Sequence, residues 1–420
     1  MNNSNKIKSY QKNELLKNII KELFPNDSFA EKKTLVDSIK NIFSLSRTNK
    51  KNIKIIKDNI TYEITLFPHL SSNYNITDEM SIEINKKNIK SRTSGKVYKK
   101  IKIVNKNIDN IIFKEIINDK EEKEFKSLIF HFLLQEYYKR NNFKKLIHLC
   151  NLFEFGYFKN TNGEQKLYAI MENCGLDLLY YKKNNKNKNK KKYEILLEIL
   201  KILYQCCKSL ELIHELKYLH LDIKLENFMI NNNIIKIIDF GNFKNLEYKV
   251  IDLFGTPEYL PNDWIDNYYN SKHTILKYHH DIFSLGCMFI IMICIHIFEL
   301  KKKFMVCPFI EIENEKKEIL YNRLKYNIKD LEKMIDDIKE ILKEKLKENN
   351  NKNNNKNNKI IDLIIKLIPK LVNPDPIKRY QSVKEITKDL LEFKNFELNI
   401  EKNEKEEIKK IEIPKRINNN

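Results

Sequence analysis

Residues 220–241 read HLDIKLENFMINNNIIKIIDFG and place a carboxylate (Asp222), a lysine (Lys224) and an asparagine (Asn227) within six positions, with a second carboxylate, Asp239, twelve residues beyond the asparagine. Two acids with a cation and an amide beside them are the side chains of acid–base work and of hard-cation binding. A short apolar hairpin separates them, and its second arm, Ile234, Ile235, Ile237 and Ile238, reads as a buried strand that delivers Asp239 to a turn. The spacing DxKxxN arises readily by accident in a chain so rich in lysine and asparagine. The triplet Asp239-Phe240-Gly241 does not, because the whole chain has only seven glycines.

The elements that must position these residues come from a chain of 420 residues, long enough for one large two-lobed domain or two ordinary ones. The net charge of +20 raises nucleic-acid binding as a role. The lysines are spread along the whole chain, however, with no aromatic-interleaved basic stripe and no zinc-finger spacing, so a solvated basic surface is the better reading. Seven cysteines with one adjacent pair, Cys206 and Cys207, and no CxxC make neither a disulfide framework nor a metal site. A reducing, intracellular and cytoplasmic setting is expected, and the first residues, MNNSNKIKSYQKN, have no apolar signal core. The apolar run LGCMFIIMICIHIF at 285–298 is short for a membrane span and reads as a helix buried on all sides.

Residues 1–80 read as an extension of two amphipathic helices, within 6–45, and a hairpin over 53–67 turning at Asp58-Asn59. Strands and one long helix follow over 81–172, helices dominate 173–396, and a charged tail occupies 397–420. Lys/Asn-rich inserts at 182–192 and 347–359 are expected to be flexible loops.

With these residues in view, the chain resembles the eukaryotic-type serine/threonine protein kinases over about 81–395, HLDIKLEN matching the catalytic loop and DFG the metal-binding turn. The resemblance implies an α+β, bilobal fold with a small β-rich lobe carrying one long helix and a larger, mostly helical lobe. It implies ATP and Mg2+ as cofactors and protein substrates as partners. Phosphoryl transfer needs positioning and charge neutralisation more than covalent chemistry. Asp222 is then the catalytic acid/base, Lys224 neutralises the transferred phosphate, Asp239 holds magnesium and Asn227 holds a second metal ion. A lysine two residues after the acid is the version that accepts serine and threonine.

Further matches follow in the family's order. GTPEYLP at 255–261 resembles the end of the activation segment, so Thr256 is expected to contact the catalytic loop and Glu258 to form a buried ion pair with Arg379 of NPDPIKRY. Asp281 in DIFSLG resembles the start of the buried helix that anchors the catalytic loop. MENCGLDL at 171–178 resembles the hinge, with Met171 as gatekeeper and backbone groups of Glu172 and Cys174 pairing to adenine. TSGKVYK at 93–99 resembles the end of a glycine-rich loop, Gly95 being its last glycine and Val97 the roof over adenine. Lys90 and Arg92 stand in place of the first two glycines, where side chains hold the backbone amides away from the phosphates. Lys114 in IIFKEI takes the place of the phosphate-pairing lysine, and Ile112 replaces the small residue that usually touches the purine.

For the helix glutamate, Phe125, Ile129, Phe132 and Glu136 share a face, which makes Glu136 the expected partner of Lys114, with Glu124 as the alternative. Leu221 stands where many kinases carry an arginine that captures a phosphate, a non-RD loop. Between Gly241 and Gly255, Tyr248 is the only hydroxyl. These absences predict a kinase that needs no activation-loop phosphorylation. The alternative is a pseudokinase scaffold poor in nucleotide binding, motivated by Lys90, Arg92 and Ile112. A small-molecule kinase is a third reading, against which GTPEYLP and Arg379 speak.

Overall fold

The computed structural model describes Lys21, the backbone of strands between 51 and 111, and residues 112–116, 121–159, 165–184, 191–297, 326–346 and 354–392. The helices expected within 6–45 and the tail at 397–420 lie outside the described residues. The chain divides into two compact units, the first running to Cys174 and the second beginning at Gly175, two residues past the boundary expected at 172/173.

Among the described residues, unit 1 contains two five-stranded sheets. In the first, β1 (Lys51–Lys57) and β2 (Ile60–Leu66) pair antiparallel with Lys57 opposite Ile60, and the turn expected at Asp58-Asn59 lies outside the described residues. β1 also pairs in parallel with β3 (Met80–Ile84), so the boundary expected at 80/81 runs through a strand of the same sheet as the hairpin. The second sheet has the order β4 (Ile89–Arg92), β5 (Gly95–Tyr98), β8 (Ile111–Ile116), β10 (Gln165–Glu172), β9 (Leu152–Lys159). Strands β6 (Ile101–Ile103) and β7 (Lys106–Ile108) complete the first. Helix α1 (Glu121–Asn141) follows β8, and its buried residues Phe125, Ile129, Phe130, Leu133 and Leu134 join Phe113, Phe155 and Tyr168 in this unit's core. Phe113 and Tyr168, on paired strands, stack at 5.6 Å.

Unit 2 is mostly helical. Strand β11 (Leu176–Asp177) leads into α2 (Leu178–Asn184). Helix α3 (Lys192–His214) carries Leu196, Leu200, Leu203 and Leu210 into the core. Helix α5 (Tyr278–His296), formed by the apolar run, is long and apolar enough to cross a membrane by composition, yet its residues from His280 to Ile293 are buried within the unit. Burial of each large apolar side chain contributes about 1.5–3 kcal/mol, which is why such a run packs as a central helix.

One expected loop is helical instead. Residues 354–359 of the second Lys/Asn insert form the first turns of α7 (Asn354–Leu371), which packs on α6 (Ile328–Lys345). Asn357 is buried and its amide donates to the carbonyl of Leu346 at 2.8 Å, so one asparagine satisfies the end of the preceding helix. Composition masked this because the apolar stripe that drives the helix, Ile360, Ile361 and Ile364, lies just past the polar run.

Candidate active site

A hairpin in unit 2 pairs β12 (Phe228–Asn231) with β13 (Ile234–Ile237). Its two-residue turn, Asn232-Asn233, has φ of 48° and 63°, the left-handed pair a tight hairpin needs and one that asparagine tolerates. The ladder extends past the strands, because the amide of Ile238 donates to the carbonyl of Asn227 at 3.0 Å. Asn227 and Asp239 are thereby fixed at the open end of one hairpin, which answers why an apolar run separates the polar residues. Asp239 itself is left-handed, φ 66°, with its Oδ1 accepting the amide of Gly241 at 3.2 Å.

The loop before the hairpin carries Asp222, on which three side chains converge. Its Oδ1 accepts the hydroxyl of Thr256 at 2.7 Å, and its Oδ2 accepts Lys224 Nζ at 2.8 Å and Asn227 Nδ2 at 3.3 Å. Asn227 Nδ2 also donates to the backbone carbonyl of Asp222 at 2.7 Å, and Lys224 Nζ to Thr256 Oγ1 at 2.9 Å. Each group is charge-assisted or hydrogen-bonded, the condition for holding an acid and a cation half-buried.

The loop is in turn held by Asp281 at the start of α5. Its Oδ1 accepts the amide of Leu221 at 2.8 Å, while Oδ2 accepts the amide of His220 at 2.8 Å and faces His214 Nε2 at 2.9 Å. Burial pushes this carboxyl upward, but the His214 hydrogen bond and the neighbouring histidines and amides outweigh it and hold it below the usual carboxylate range. The amide of Asp222 donates to His220 Nδ1, so His220 Nε2–H is the donor to the carbonyl of Ile238 at 3.1 Å. One buried ring thus ties the acid-bearing loop to the residue before Asp239. Leu221, at φ 60°, is strained into position by these bonds. Gly255, at φ 88°, lies so close that a Cβ there would run into the carbonyl of Leu221.

Two expected pairings are corrected. Arg379 pairs with Asp263 at 2.7 Å, and not with Glu258. Glu258 sits in the single turn Pro257–Tyr259, whereas Asp263 is in the first turn of α4 (Asn262–Tyr269) and faces the buried guanidinium. Arg379 also bonds the carbonyls of Asn373 and Pro374 and lies over the ring of Phe283. Burial pushes the Asp263 carboxyl up, and the charge and hydrogen bond of Arg379 together with the neighbouring His280 and His279 more than reverse it.

In unit 1, Lys114 pairs with Glu124 at 2.8 Å, and not with Glu136, which pairs with Lys139 on the helix surface at 2.6 Å. Helix α1 buries more than one side: Glu124, Leu128, His131 and Gln135 form a second inward line, so the stripe ending at Glu136 did not single out the acid. Gln135 bonds both polar groups of the Leu152 backbone, and His131 Nε2 lies 2.6 Å from the carbonyl of Cys150.

The remaining expected residues are placed as follows. Gly95 and Val97 lie on β5, Val97 opposite Lys114 in the register. Met171 is buried on β10 opposite Ile112. Glu172 donates its amide to the carbonyl of Asn151, its carboxylate accepting the Asn151 side chain at 2.8 Å. Cys174 is buried at the end of unit 1.

A family model described as protein kinase domain matches residues 84–391. Wee1-like protein kinases from Arabidopsis thaliana and Oryza sativa subsp. japonica are 30% and 31% identical over 131 and 137 residues. These stretches cover 31% and 33% of the chain and 24% of each relative. Serine/threonine-protein kinase Nek3 from Mus musculus is 35% identical over 140 residues, 31% of the chain and 25% of that protein. The aligned stretches thus span about a quarter of the length of these relatives.

Proposed function

Because the chain belongs to the protein kinase domain family, we propose that it transfers the γ-phosphate of ATP to serine and threonine hydroxyls of protein substrates. The observation that carries this reading is the convergence of Lys224, Asn227 and Thr256 on Asp222, with Asp239 at the end of the same hairpin. In this reading Asp222 orients the acceptor hydroxyl and takes its proton as the oxygen attacks the γ-phosphorus, whose bond to the bridging oxygen breaks and leaves that oxygen on ADP. Lys224, already held between Asp222 and Thr256, offsets charge on the phosphoryl oxygens.

Magnesium fits the donor set, which consists of hard oxygens. The Asn227 amide nitrogen is committed to Asp222, which leaves its Oδ1 to face a cation, and Asp239 supplies the carboxylate. Bound there, magnesium would neutralise the phosphates, and Lys114 is the residue assigned to them by the family resemblance.

Activity without activation-segment phosphorylation belongs to the same proposal. Leu221 is buried with Val250, Leu260, Trp264 and Leu276, and Leu246, Leu253 and Phe254 of the segment pack on that cluster. Strand β14 (Lys249–Val250) pairs with β15 (Thr274–Ile275), and Lys244 lies 5.3 Å over the ring of Phe254. Apolar packing and strand pairing do here what an arginine–phosphate pair does elsewhere.

The test is magnesium-dependent labelling of model proteins by the phosphatase-treated full chain, with the modified residues mapped by mass spectrometry. Phosphoserine and phosphothreonine are expected, abolished in Asp239→Asn and unchanged in Tyr248→Phe. No transfer above Asp239→Asn would remove the enzyme reading, and dependence on a phosphate between 241 and 255 would remove the regulatory one.

A further inference from the structure

The carboxylate of Asp263 has a second use. Its Oδ1 is taken by Arg379, but its Oδ2 faces two adjacent histidines in the first turn of α5, lying 3.6 Å from His280 Nε2 and 4.0 Å from His279 Nε2. His280 is 2% exposed, and its Nε2 is buried with no hydrogen-bond partner. At 3.6 Å neither tautomer makes a hydrogen bond to Asp263 across that gap. The other ring nitrogen, Nδ1, accepts the amide of Lys277 at 3.0 Å and lies 2.9 Å from the carbonyl of the same residue. With that amide donating to Nδ1, the proton sits on Nε2 and points at the Asp263 carboxylate across a gap too long for a hydrogen bond; a metal ion taking Nε2 would shift the ring to its Nδ1–H tautomer, which the Lys277 carbonyl is placed to accept.

One ligand atom from each of Asp263, His279 and His280 lies within 4.8 Å of the others. A tetrahedral ion with bonds of about 2.0–2.2 Å brings its ligand atoms to roughly 3.4 Å, so the two gaps to Asp263, 3.6 and 4.0 Å, close by about 0.2–0.6 Å and the gap between the histidines by up to about 1.4 Å. The outer contacts are those that metal ligands use: a backbone carbonyl behind one imidazole and an arginine on the far carboxylate oxygen. Trp264 meets His280 edge-on at 5.5 Å and walls one side, and Gln381 is the polar neighbour of His279. The side chains of Asp263 and His279 keep 22% and 12% exposure, enough for water to supply a fourth ligand.

We propose that Asp263, His279 and His280 bind a divalent transition-metal ion of the zinc class, clipping the helix that follows the activation segment to the central helix of unit 2. Two imidazoles and a carboxylate suit Zn2+ and its spectroscopic stand-in Co2+ better than Mg2+ or Ca2+. The site is separate from the oxygen donors at Asn227 and Asp239 and does not depend on the kinase reading.

The experiment is titration of the chelator-treated full chain with Co2+, without nucleotide, followed by visible absorption and by displacement with Zn2+. One equivalent of tetrahedral Co2+ is expected, retained in Asp239→Asn. In His279→Ala, where the side chain is at the edge of the core, affinity should fall at least as far as the 10- to 100-fold that loss of an outer-shell partner costs. His280→Asn should behave alike, and the rise in melting temperature that Zn2+ gives the wild type should vanish in both. An absent Co2+ spectrum, or one of full strength in both histidine variants, would overturn the proposal.

Discussion

The catalytic loop and the activation segment lie side by side in unit 2 and are held by opposite means. The loop is positioned by charge: Asp281 accepts its amides, and Asp222 gathers a lysine, an amide and a hydroxyl. The segment is positioned by strand pairing and apolar contact, with Leu221 as the shared residue, its backbone bonded to Asp281 and its side chain buried against Val250 and Trp264. A loop that must offer an acid and a cation in fixed geometry needs directional bonds, which specify position to a few tenths of an ångström. A segment that must only stay in place can use packing, and packing needs no phosphate to switch it on.

Asp281→Ala should break the charged half hardest. It leaves the buried amides of His220 and Leu221 without an acceptor, at about 1–3 kcal/mol each. Denaturant unfolding should show about 3–5 kcal/mol lost, and transfer should fall further than stability alone accounts for.

Leu221→Ala attacks the apolar half. The cavity should cost about 2–5 kcal/mol, and limited proteolysis should cut between 241 and 255 before any other site in unit 2. A variant that keeps the segment protected would show that the strand pairing alone holds it.

A third outcome contrasts unit 1 with this charged network. Burial pushes His131 down to about 4. Its folded value lies below the unfolded one of about 6.5, so its contribution is complete above that pH and is lost as pH falls toward 4, up to about 3 kcal/mol. His131→Gln should flatten the stability profile over that interval, checked by urea midpoints at pH 4.5 and 7.

The smallest effect separates the two glutamates of α1. Glu136→Gln should change stability by no more than about 0.5 kcal/mol, as an exposed pair does, and leave transfer intact. Glu124→Gln should depress transfer at the same protein concentration, because it strands Lys114 at 15% exposure without its carboxylate. The reverse ranking would restore the periodicity argument.

Much of the site was legible because local rules decide it. A run of isoleucines behind an Asn-Asn turn can only be a tight hairpin, and Asp239 follows from its end. The apolar run 285–298 announced a buried helix, and Asp281 its start. The pairings were less legible because they join residues distant in sequence through geometry. Asp263 and Glu258 are five residues apart and both carry a carboxyl group. What separates them is the helix start at Pro261-Asn262, a signal present in the sequence as PNDW but outweighed by the neighbouring motif. The pair His279-His280 lies only a few ångströms from Asp263, and no spacing rule links 263 to 280. Glu124 was obscured because periodicity names a face, and α1 buries two.

The central claim is that Asp222 performs the transfer while Asn227 and Asp239 hold the metal, and kinetics of Asp222→Asn test it most directly. The turnover number should fall about 10²- to 10⁴-fold, while ATP binding in magnesium, measured by calorimetry, stays within about twofold of wild type because Asp222 is placed at the acceptor and not at the nucleotide. Equal turnover in the two proteins would contradict the account.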